Sequence, residues 1–430
     1  MKKDLYARIW RWHFYAGIFV IPFMIVLAIT GSIYLFKPQL DPVVYPKLLT
    51  VSPQDKVLPA ANIVSVVRKE FPTSQVSSYF PPTRADQSVA VGLSDAGINR
   101  TAYLNPYTGE LLGSMNDQDH YQSITKKIHG DLLIGPWGDR LVELVACWSI
   151  ILLISGLYLW WPRGRKFAGV WWVRLNAGKR IFWRDLHAVV AIYSFVFILL
   201  LLVTGLPWTG FWGEKYAKVW NHFPQATATS NVPSAVLNNA SVQMVPWASE
   251  TVPMPNSVVM QSEQISMDEV LKTLQGRDLE GSIKVAYPKE LEGVFTISQF
   301  GGDPRRSVTL YVDQYSGQVV QAVPFSEHGG FAKAVEFGIS LHQGELFGWV
   351  NQLIAFLTCL ALILICVSGV MMWWKRRPSG KFAAPPAPDS KNPVWFIGIF
   401  VSMSALFPLV GVSLVAVIAI DFILSKVRAH

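Results

Sequence analysis

The sequence predicts an α-helical membrane protein: a bundle of four duplicated transmembrane helices plus a fifth, with two small α+β domains on the outer side. Three observations predict this fold class. Of the 430 residues, 51% are hydrophobic and only 15% are charged, where soluble proteins carry about 25% charge. The apolar residues gather in five largely uncharged stretches of about 20 residues, the length that crosses a bilayer. Finally, two parts of the chain share motifs in the same register.

The first and fifth candidate spans have distinctive features. The first starts with basic residues, like a signal peptide, but its apolar run is too long and lacks a small-x-small cleavage site, so we expect a retained anchor. The fifth contains Pro408, and its terminal Lys426 and Arg428 would face outward, against the charge rule. The five spans are predicted near residues 14–36, 141–161, 186–207, 350–374 and 394–424.

Composition and charge exclude several other classes of protein. The 17 Trp and the high apolar fraction exclude a disordered chain or an ordinary cytoplasmic enzyme. The three cysteines lie inside apolar runs, which excludes a disulfide framework or a cysteine-based zinc site. The net charge of +8 comes from basic residues in short segments beside the spans. This placement is a topology signal, and no nucleic acid partner is expected.

The basic segments predict the orientation of the chain. Lys and Arg accumulate in residues 2–11, 163–184 and 375–381, which we therefore assign to the cytoplasm. The long segments 37–138 and 208–349 mix acids and bases, so we expect them on the opposite face. The chain is thus predicted to be a multi-pass membrane protein with a cytoplasmic N-terminus, and in a bacterium its outer domains would lie in the periplasm.

Two segments of the sequence align with each other without a gap, and the first and last matched residues are equally far apart in both. The matched residues are His129, Leu133, Gly135, Ser155, Gly156, Trp160 and Trp161 in the first copy, and His342, Leu346, Gly348, Ser368, Gly369, Trp373 and Trp374 in the second. Upstream, His13 with Thr30-Gly31 corresponds in the same way to His187 with Thr204-Gly205. The chain is therefore predicted to be a parallel tandem repeat of one unit: span, outer domain, span.

The outer segments also look duplicated. Residues 103–109 and 311–317 each read as an alternating strand followed by a turn whose glycine adopts φ > 0. A helical pattern precedes each of them, over 60–71 and 267–274, and further strands are predicted over 89–93 and 293–297. Each outer segment is thus expected to be a small α+β module. Residues 226–255 and 383–393 are rich in Pro and Ser and are predicted to be linkers.

Four of the eight histidines belong to the repeat, and we expect them to bind haem. His13 and His187 lie near the predicted inner surface, whereas His129 and His342 lie near the outer surface. Ionisable groups at membrane depth are costly and usually functional, and imidazole is a common metal ligand. Each pair is predicted to hold one haem iron from both sides, which suits single-electron transfer. Arg11 and Arg184, with Lys126 and Lys127, are candidate partners for haem propionates, and small residues such as Gly31, Gly156 and Gly369 are candidates to make room for the macrocycle.

Simpler interpretations stand beside this one. An interfacial His often caps a helix or reaches toward the headgroups, small residues in spans often mark close helix contacts, and Trp pairs often anchor a protein at the membrane surface. Ligand pairing within each half of the chain is also open. The sequence shows no motif for dinucleotides, P-loop phosphates, zinc proteases, serine hydrolases or covalent haem. Electrons for a redox reaction would then come from a cytoplasmic flavoprotein reductase or from a membrane quinol.

These residues resemble the PepSY-associated transmembrane proteins. The similarity rests on Arg11 to His13 followed by Thr30-Gly31, on Arg184 to His187 with Thr204-Gly205, on the segments after His129 and His342, and on the two glycine turns. It covers most of residues 5–377. The family includes bacterial inner-membrane ferric-siderophore reductases with two haem b groups and periplasmic PepSY-like domains. By this resemblance, haem ligation would carry over to His13, His187, His129 and His342; the fifth span has no counterpart.

The resemblance implies a domain organisation and a function. The function implied is reduction of a periplasmic ferric-siderophore, or a similar metal complex, with electrons from the cytoplasmic side. No catalytic side chain is assigned, because the reaction needs only proximity between the complex and the outer haem. The predicted regions are 1–40 (first span), 41–128 (first PepSY-like domain), 129–165 (interfacial segment and second span), 166–185 (basic loop), 186–210 (third span), 211–340 (second PepSY-like domain), 341–378 (interfacial segment and fourth span), 379–393 (linker) and 394–430 (fifth span).

Two rival functions make different predictions. A non-redox membrane-anchored protein that binds peptides or regulates a protease would have no cofactor, and His13→Ala would behave like a surface substitution. A transporter would require acids or broken helices at mid-membrane. The first four spans offer one candidate acid, Glu143, near one end of its span. Transport is therefore the less favoured rival.

Overall fold

Long apolar helices form the membrane part of the protein. A computed structural model describes residues 2–162, 168–222, 254–257, 263–277, 279–377 and 394–429. Its helices are α1 (Lys2–Leu35), α2 (Lys37–Val44), α3 (Pro46–Leu49), α4 (Ala60–Glu70), α5 (Tyr121–Asp131), α6 (Pro136–Trp160), α7 (Lys179–Gly205), α8 (Gly210–His222), α9 (Met267–Lys272), α10 (Gly330–His342), α11 (Trp349–Arg376), α12 (Val394–Leu406) and α13 (Pro408–Ala429). Within these described residues, α1, α6, α7 and α11 are the four helices long and apolar enough to cross a membrane. They correspond to the first four predicted spans.

The chain forms two compact units. The helical unit comprises Met1–Ser32, Ile128–Trp212 and Phe356–His430, and the sheet unit comprises Ile33–Lys127 and Gly213–Ala355. The linkers predicted over 226–255 and 383–393 lie almost entirely outside the described residues.

One apolar cluster joins the helices of the helical unit. Its buried side chains come from all four long helices and include Val20, Val145, Ile198 and Cys366. The three cysteines are buried and unpaired, as expected for small apolar core residues. Large apolar side chains also point outward, for example Val196, which is 65% exposed. An apolar exterior of this kind is suited to lipid, where the hydrophobic effect imposes no penalty on it.

The predicted fifth span is not one helix. The chain over 394–429 divides into α12 and α13, with Phe407 between them. Pro408 has no N–H to continue the helical hydrogen bonds, so it ends α12 and occupies the first position of α13. The two helices contact Trp148 and Trp212 of the helical unit through Ser413 and Phe407.

The sheet unit contains one eight-stranded antiparallel sheet. The strands are β1 (Gln75–Phe80), β2 (Val89–Asp95), β3 (Ile98–Leu104), β4 (Leu111–Asn116), β5 (Ser282–Ala286), β6 (Val294–Phe300), β7 (Val308–Asp313) and β8 (Val319–Pro324). Their order is β4-β3-β2-β1-β5-β6-β7-β8. Each predicted module therefore supplies one helix, α4 or α9, and four consecutive strands, and β1 pairs with β5 at the centre.

The two modules share a core rather than forming separate domains. Ser78 pairs with Ala286 and Tyr79 with Val285 across the junction. One face of the sheet packs against α4 and α9 in a cluster that includes Val67, Val270 and Phe295. The sequence pattern predicted two small domains, because the alternation within each module does not reveal which strand edges pair.

The predicted glycine turns are confirmed in both modules. Gly109 has φ +74° and Gly317 has φ +72°. Asn105 and Asp313 occupy equivalent positions, and their side-chain oxygens accept the N–H of Tyr107 and Tyr315 at 2.9 Å each. The two copies thus form the same turn with the same local hydrogen bond.

The N-terminus of α4 is capped by a residue of α9. Asp268 accepts the N–H of Ala60 at 2.7 Å and that of Ala61 at 2.9 Å. The first N–H groups of a helix have no intrahelical partner, and a carboxylate also favours the positive end of the helix dipole. One module therefore stabilises the helix of the other.

We expect Asp268→Ala to destabilise the sheet unit, because two N–H groups of α4 lose their acceptor. Loss of a cap costs about 0.5–2 kcal/mol, and the apparent Tm in detergent should fall by roughly 2–8 °C. The control is Asp55→Ala, which removes an exposed carboxylate of the same unit. Equal Tm values for the two variants would contradict the capping role.

Candidate functional site

The four repeated histidines occupy equivalent positions in two pairs. His13 lies in α1 and His187 in α7, the first long helix of each copy. His129 lies near the end of α5, and His342 is the last residue of α10. A glycine with positive φ follows each of these two helices, Gly135 at +62° and Gly348 at +57°. The local backbone of the two copies therefore repeats around the histidines.

His13 and His187 lie beside each other inside the helical unit. Their ring centroids are 6.5 Å apart, and their planes are inclined by 83°. Two imidazoles on opposite sides of one metal need about 4 Å between coordinating nitrogens, because each metal–nitrogen bond is about 2.0 Å. Adding about 1.1 Å from each nitrogen to its ring centroid gives roughly 6.3 Å between centroids. The observed separation fits one shared metal.

The second long helix of each copy holds the imidazole of the first. His13 Nδ1 lies 2.9 Å from Ser155 Oγ of α6. His187 Nδ1 lies 3.0 Å from the carbonyl oxygen of Ile365 and 3.2 Å from Ser368 Oγ of α11. Ser155 and Ser368 are equivalent in the repeat, so the same contact is built twice.

These contacts determine which ring nitrogen carries the proton. A carbonyl oxygen only accepts, so His187 Nδ1 must donate to Ile365. The Ser155 hydroxyl donates to the carbonyl of Leu152 at 3.2 Å, which makes it an acceptor for His13 Nδ1–H. In each neutral ring, Nε2 then carries the lone pair that a metal requires.

The ligand set fits a haem better than a bare ion. Among the described residues, no group of three or more His, Cys, Asp or Glu is placed to hold a metal ion. A bare transition metal needs about four protein or water ligands, whereas a porphyrin supplies the equatorial nitrogens and needs only axial ligands. His13 and His187 together supply two neighbouring imidazoles, the number of protein ligands that a haem iron of this kind requires.

The small residues of the repeat lie against the imidazole rings. A Cβ added to Gly156 would lie 3.3 Å from His13 Cε1, and one on Gly369 would lie 3.6 Å from His187 Cε1. Gly17 is one turn after His13 on the same face of α1, and a Cβ there would meet no heavy atom within 4 Å. Gly156 and Gly369 thus permit close ring packing, while Gly17 borders open space beside His13.

His129 is held in the same manner. Its Nδ1 lies 2.9 Å from Thr30 Oγ1, and the Thr30 hydroxyl donates to the carbonyl of Val26 at 2.8 Å. Burial lowers the pKa of His129 to about 4, so the ring is neutral at physiological pH. A Cβ on Gly31 would lie 3.4 Å from its Cε1. The Thr30-Gly31 motif of α1 therefore packs against a histidine of α5 that lies 99 residues later in the chain.

His129 and His342 belong to different units of the chain. Their pairing stays a prediction from the repeat, whose second Thr-Gly motif is Thr204-Gly205.

Two of the four predicted propionate partners, Arg11 and Arg184, have contacts within the protein. The guanidinium of Arg11 lies 5.2 Å from the ring centroid of Tyr15. Arg184 pairs with Asp185 at 2.5 Å, and Arg174 binds the same carboxylate at 2.7 Å. Asp185 is completely buried and ties the basic segment before α7 to the helix. The propionate role of Arg11 and Arg184 stays a prediction.

The carboxylate of Glu143 accepts hydrogen bonds at the start of α8. Its Oε2 accepts the N–H of Phe211 at 2.9 Å, and its Oε1 accepts that of Trp212 at 3.1 Å. Asp139 accepts the N–H of Gly210 at 3.0 Å, so two acids of α6 cap the N-terminus of α8. Arg140 lies 3.5 Å from the Glu143 carboxylate. Glu143 therefore caps the N-terminus of α8.

The repeat in the sequence predicts the four histidines but not the groups that orient them. It marks Ser155 and Ser368 only as matched positions and does not mark Asp185. One sequence feature does point to the serines: in both copies a serine directly precedes the matched glycine, Gly156 or Gly369. Which hydroxyl meets which ring depends on helix packing, which the repeat alone does not specify.

The fold and this site define a class: multi-span membrane proteins with paired imidazoles inside a helix bundle. The chain belongs to the family described as PepSY-associated TM region, whose model matches residues 10–376. This confirms the family predicted from the motifs. No curated protein matches the chain. The matched residues include all four repeated histidines and end at the last residue of α11, so α12 and α13 lie beyond the match.

We expect Glu143→Ala to lower the apparent Tm, because two partly buried N–H groups of α8 lose their acceptor. A fully buried donor left without a partner costs about 1–3 kcal/mol, which sets the upper limit for each. Glu143→Gln keeps one acceptor oxygen and should lower the Tm less. Differential scanning fluorimetry in detergent measures both, with Glu110→Ala as the exposed control. A Glu143→Gln variant with unchanged Tm but abolished activity would instead indicate a proton-carrying role.

Proposed function

We propose that this membrane protein binds haem b and transfers electrons across a bacterial inner membrane. The observation that carries the proposal is the pair formed by His13 and His187, 6.5 Å apart between ring centroids. The hydrogen bonds of both Nδ1 atoms favour the tautomer in which Nε2 binds a metal. We assign a second haem to His129 and His342 on the repeat and on the Thr30 contact of His129.

The chain's own residues would prepare the site in three ways. His13 and His187 would hold the haem iron with two imidazoles, a ligand set that suits single-electron transfer rather than oxygen chemistry. Ser155 and the Ile365 carbonyl would orient the rings and keep a proton on each Nδ1. Apolar neighbours such as Val20 and Ile198 would exclude water. Bound haem would supply a one-electron ferric/ferrous couple.

The proposed substrate is a periplasmic ferric-siderophore or a similar ferric complex. Its reduction is a one-electron step, and ferrous iron is released because hard oxygen ligands hold ferric iron more tightly. The electrons would come from a cytoplasmic flavoprotein reductase or a membrane quinol. The basic segments, including residues 168–184, are assigned to the cytoplasm on the charge rule.

Purified wild-type protein is expected to show a reducible Soret band at about two haems per chain. His13→Ala and His187→Ala should each lose about half of the haem, because one axial ligand of the same site is removed. The matched control is His120→Ala, whose ring packs against Tyr45 and Tyr121 in the sheet unit. Reduced-minus-oxidised spectra with pyridine haemochrome quantification measure the content.

A colourless wild-type protein, or unchanged haem in both variants, would contradict the proposal and favour the non-redox anchor. The substrate is tested with the reduced protein in liposomes. A ferric hydroxamate complex should reoxidise the haem in step with trapped ferrous iron. Haem that stays reduced with the complex present would overturn the siderophore assignment alone.

We also expect Ser155→Ala to raise the midpoint potential of the haem held by His13. The Nδ1–H hydrogen bond gives the imidazole more anionic character, which stabilises the ferric state, so its loss shifts the potential upward by tens of millivolts. Ser368→Ala should have a smaller effect, because the Ile365 carbonyl still accepts from His187. Spectroelectrochemical titration measures the shift.

Ser149→Ala is the control, since Ser149 lies on the same helix and donates to the carbonyl of Val145. Identical potentials for wild type, Ser155→Ala and Ser149→Ala would show that the hydroxyl does not act on a ligand.

A further inference from the structure

The segment beyond the family match has the geometry of a hairpin. We propose that residues 394–429 enter the membrane and turn back, so that the C-terminus lies on the same side as the basic segment between α6 and α7. The proposal concerns α12 and α13 and does not depend on the proposed redox function.

Helix length is the first argument. α12 contains 13 residues, which span about 20 Å at 1.5 Å per residue. A hydrocarbon core is about 30 Å thick, so α12 alone does not cross it. Pro408 then ends the helix, whereas a fifth span would have to continue in the same direction.

The chain reverses direction sharply at Phe407. A Cβ added to Gly411 would lie 3.2 Å from Ser404 Cα. In a straight helix, residues seven positions apart are separated by about 10.5 Å. Ser404 and Gly411 therefore lie side by side across the bend, and the absence of a side chain on Gly411 permits this approach.

Two contacts give the direction of α13. At the bend, the Phe407 ring lies 6.1 Å from that of Trp212, whose N–H binds Glu143 of α6. Further on, Ser413 accepts a hydrogen bond from Trp148 Nε1 at 3.2 Å. From Phe407 to Ser413, the chain therefore moves in the same direction as α6 does from Glu143 to Trp148.

α13 therefore runs parallel to α6. From Ser413 to the end of α13 at Ala429 is about 24 Å of helix, and from Trp148 to the end of α6 at Trp160 is about 18 Å. The C-terminus thus reaches the level at which α6 ends and the basic segment begins.

This direction also resolves a conflict in the sequence. A straight fifth span would place Lys426 and Arg428 on the face opposite the other basic segments. A hairpin returns them to the same face, as the positive-inside rule requires.

Thiol labelling with a membrane-impermeant maleimide tests the proposal in the full-length protein. Ala429→Cys reports on the C-terminus. Asp55→Cys and Asn176→Cys are exposed references. Asp55 precedes α6 in the chain and Asn176 follows it, so one long helix separates them. The unmodified protein gives the background of its three buried cysteines.

Ala429→Cys is expected to label with the same sidedness as Asn176→Cys, in spheroplasts and in inverted vesicles. Labelling that follows Asp55→Cys would overturn the hairpin. Reporter fusions to the wild-type chain provide a second readout without an internal substitution. A C-terminal reporter should match the same reporter at the N-terminus, and opposite activities would again overturn the proposal. Haem content affects neither result.

Discussion

The proposed site depends on the hydrogen bond made by Nδ1 of each partly buried imidazole. In an apolar bundle an unpaired polar group costs several kcal/mol, so each ring must find an acceptor on a neighbouring helix. His13 uses Ser155, His187 uses Ile365 and Ser368, and His129 uses Thr30. In each case the acceptor makes Nδ1 the protonated nitrogen and leaves Nε2 with its lone pair. The same bond thus fixes ring position, tautomer and capacity to bind a metal.

The repeated motifs place complementary parts of the site on different helices. The ring comes from the first long helix of each copy, and the acceptor comes from the second, followed by a glycine that lets the ring approach. The sheet unit uses the same logic, because β1 and β5 join the two modules and Asp268 of one caps α4 of the other. Neither copy is structurally self-sufficient: the His13–His187 pair and the sheet both require the two copies.

Much of this architecture is predictable from sequence. Hydropathy predicts the four long helices, alternation predicts the strands, and the turn glycines and repeated histidines appear at fixed spacing. What the sequence does not reveal depends on packing. The single sheet depends on which strand edges meet, the cap by Glu143 depends on where α8 starts, and the roles of Ser155 and Ser368 depend on helix rotation. Pro408 is visible in the sequence, but a proline in a span often only kinks the helix. The reversal at Phe407 depends on the close packing of Gly411 against Ser404, which the sequence does not reveal.

The central claim is that His13 and His187 are the two axial ligands of one haem iron. Electron paramagnetic resonance of the oxidised, purified protein at low temperature tests it most directly. Two imidazoles whose planes are inclined by 83° predict a strongly anisotropic low-spin ferric signal, which the substitution of either histidine converts to high spin or removes. The second proposed haem should account for the low-spin signal that remains in the variants. A high-spin signal in the wild-type protein, or a low-spin signal of undiminished intensity in both variants, would contradict the account.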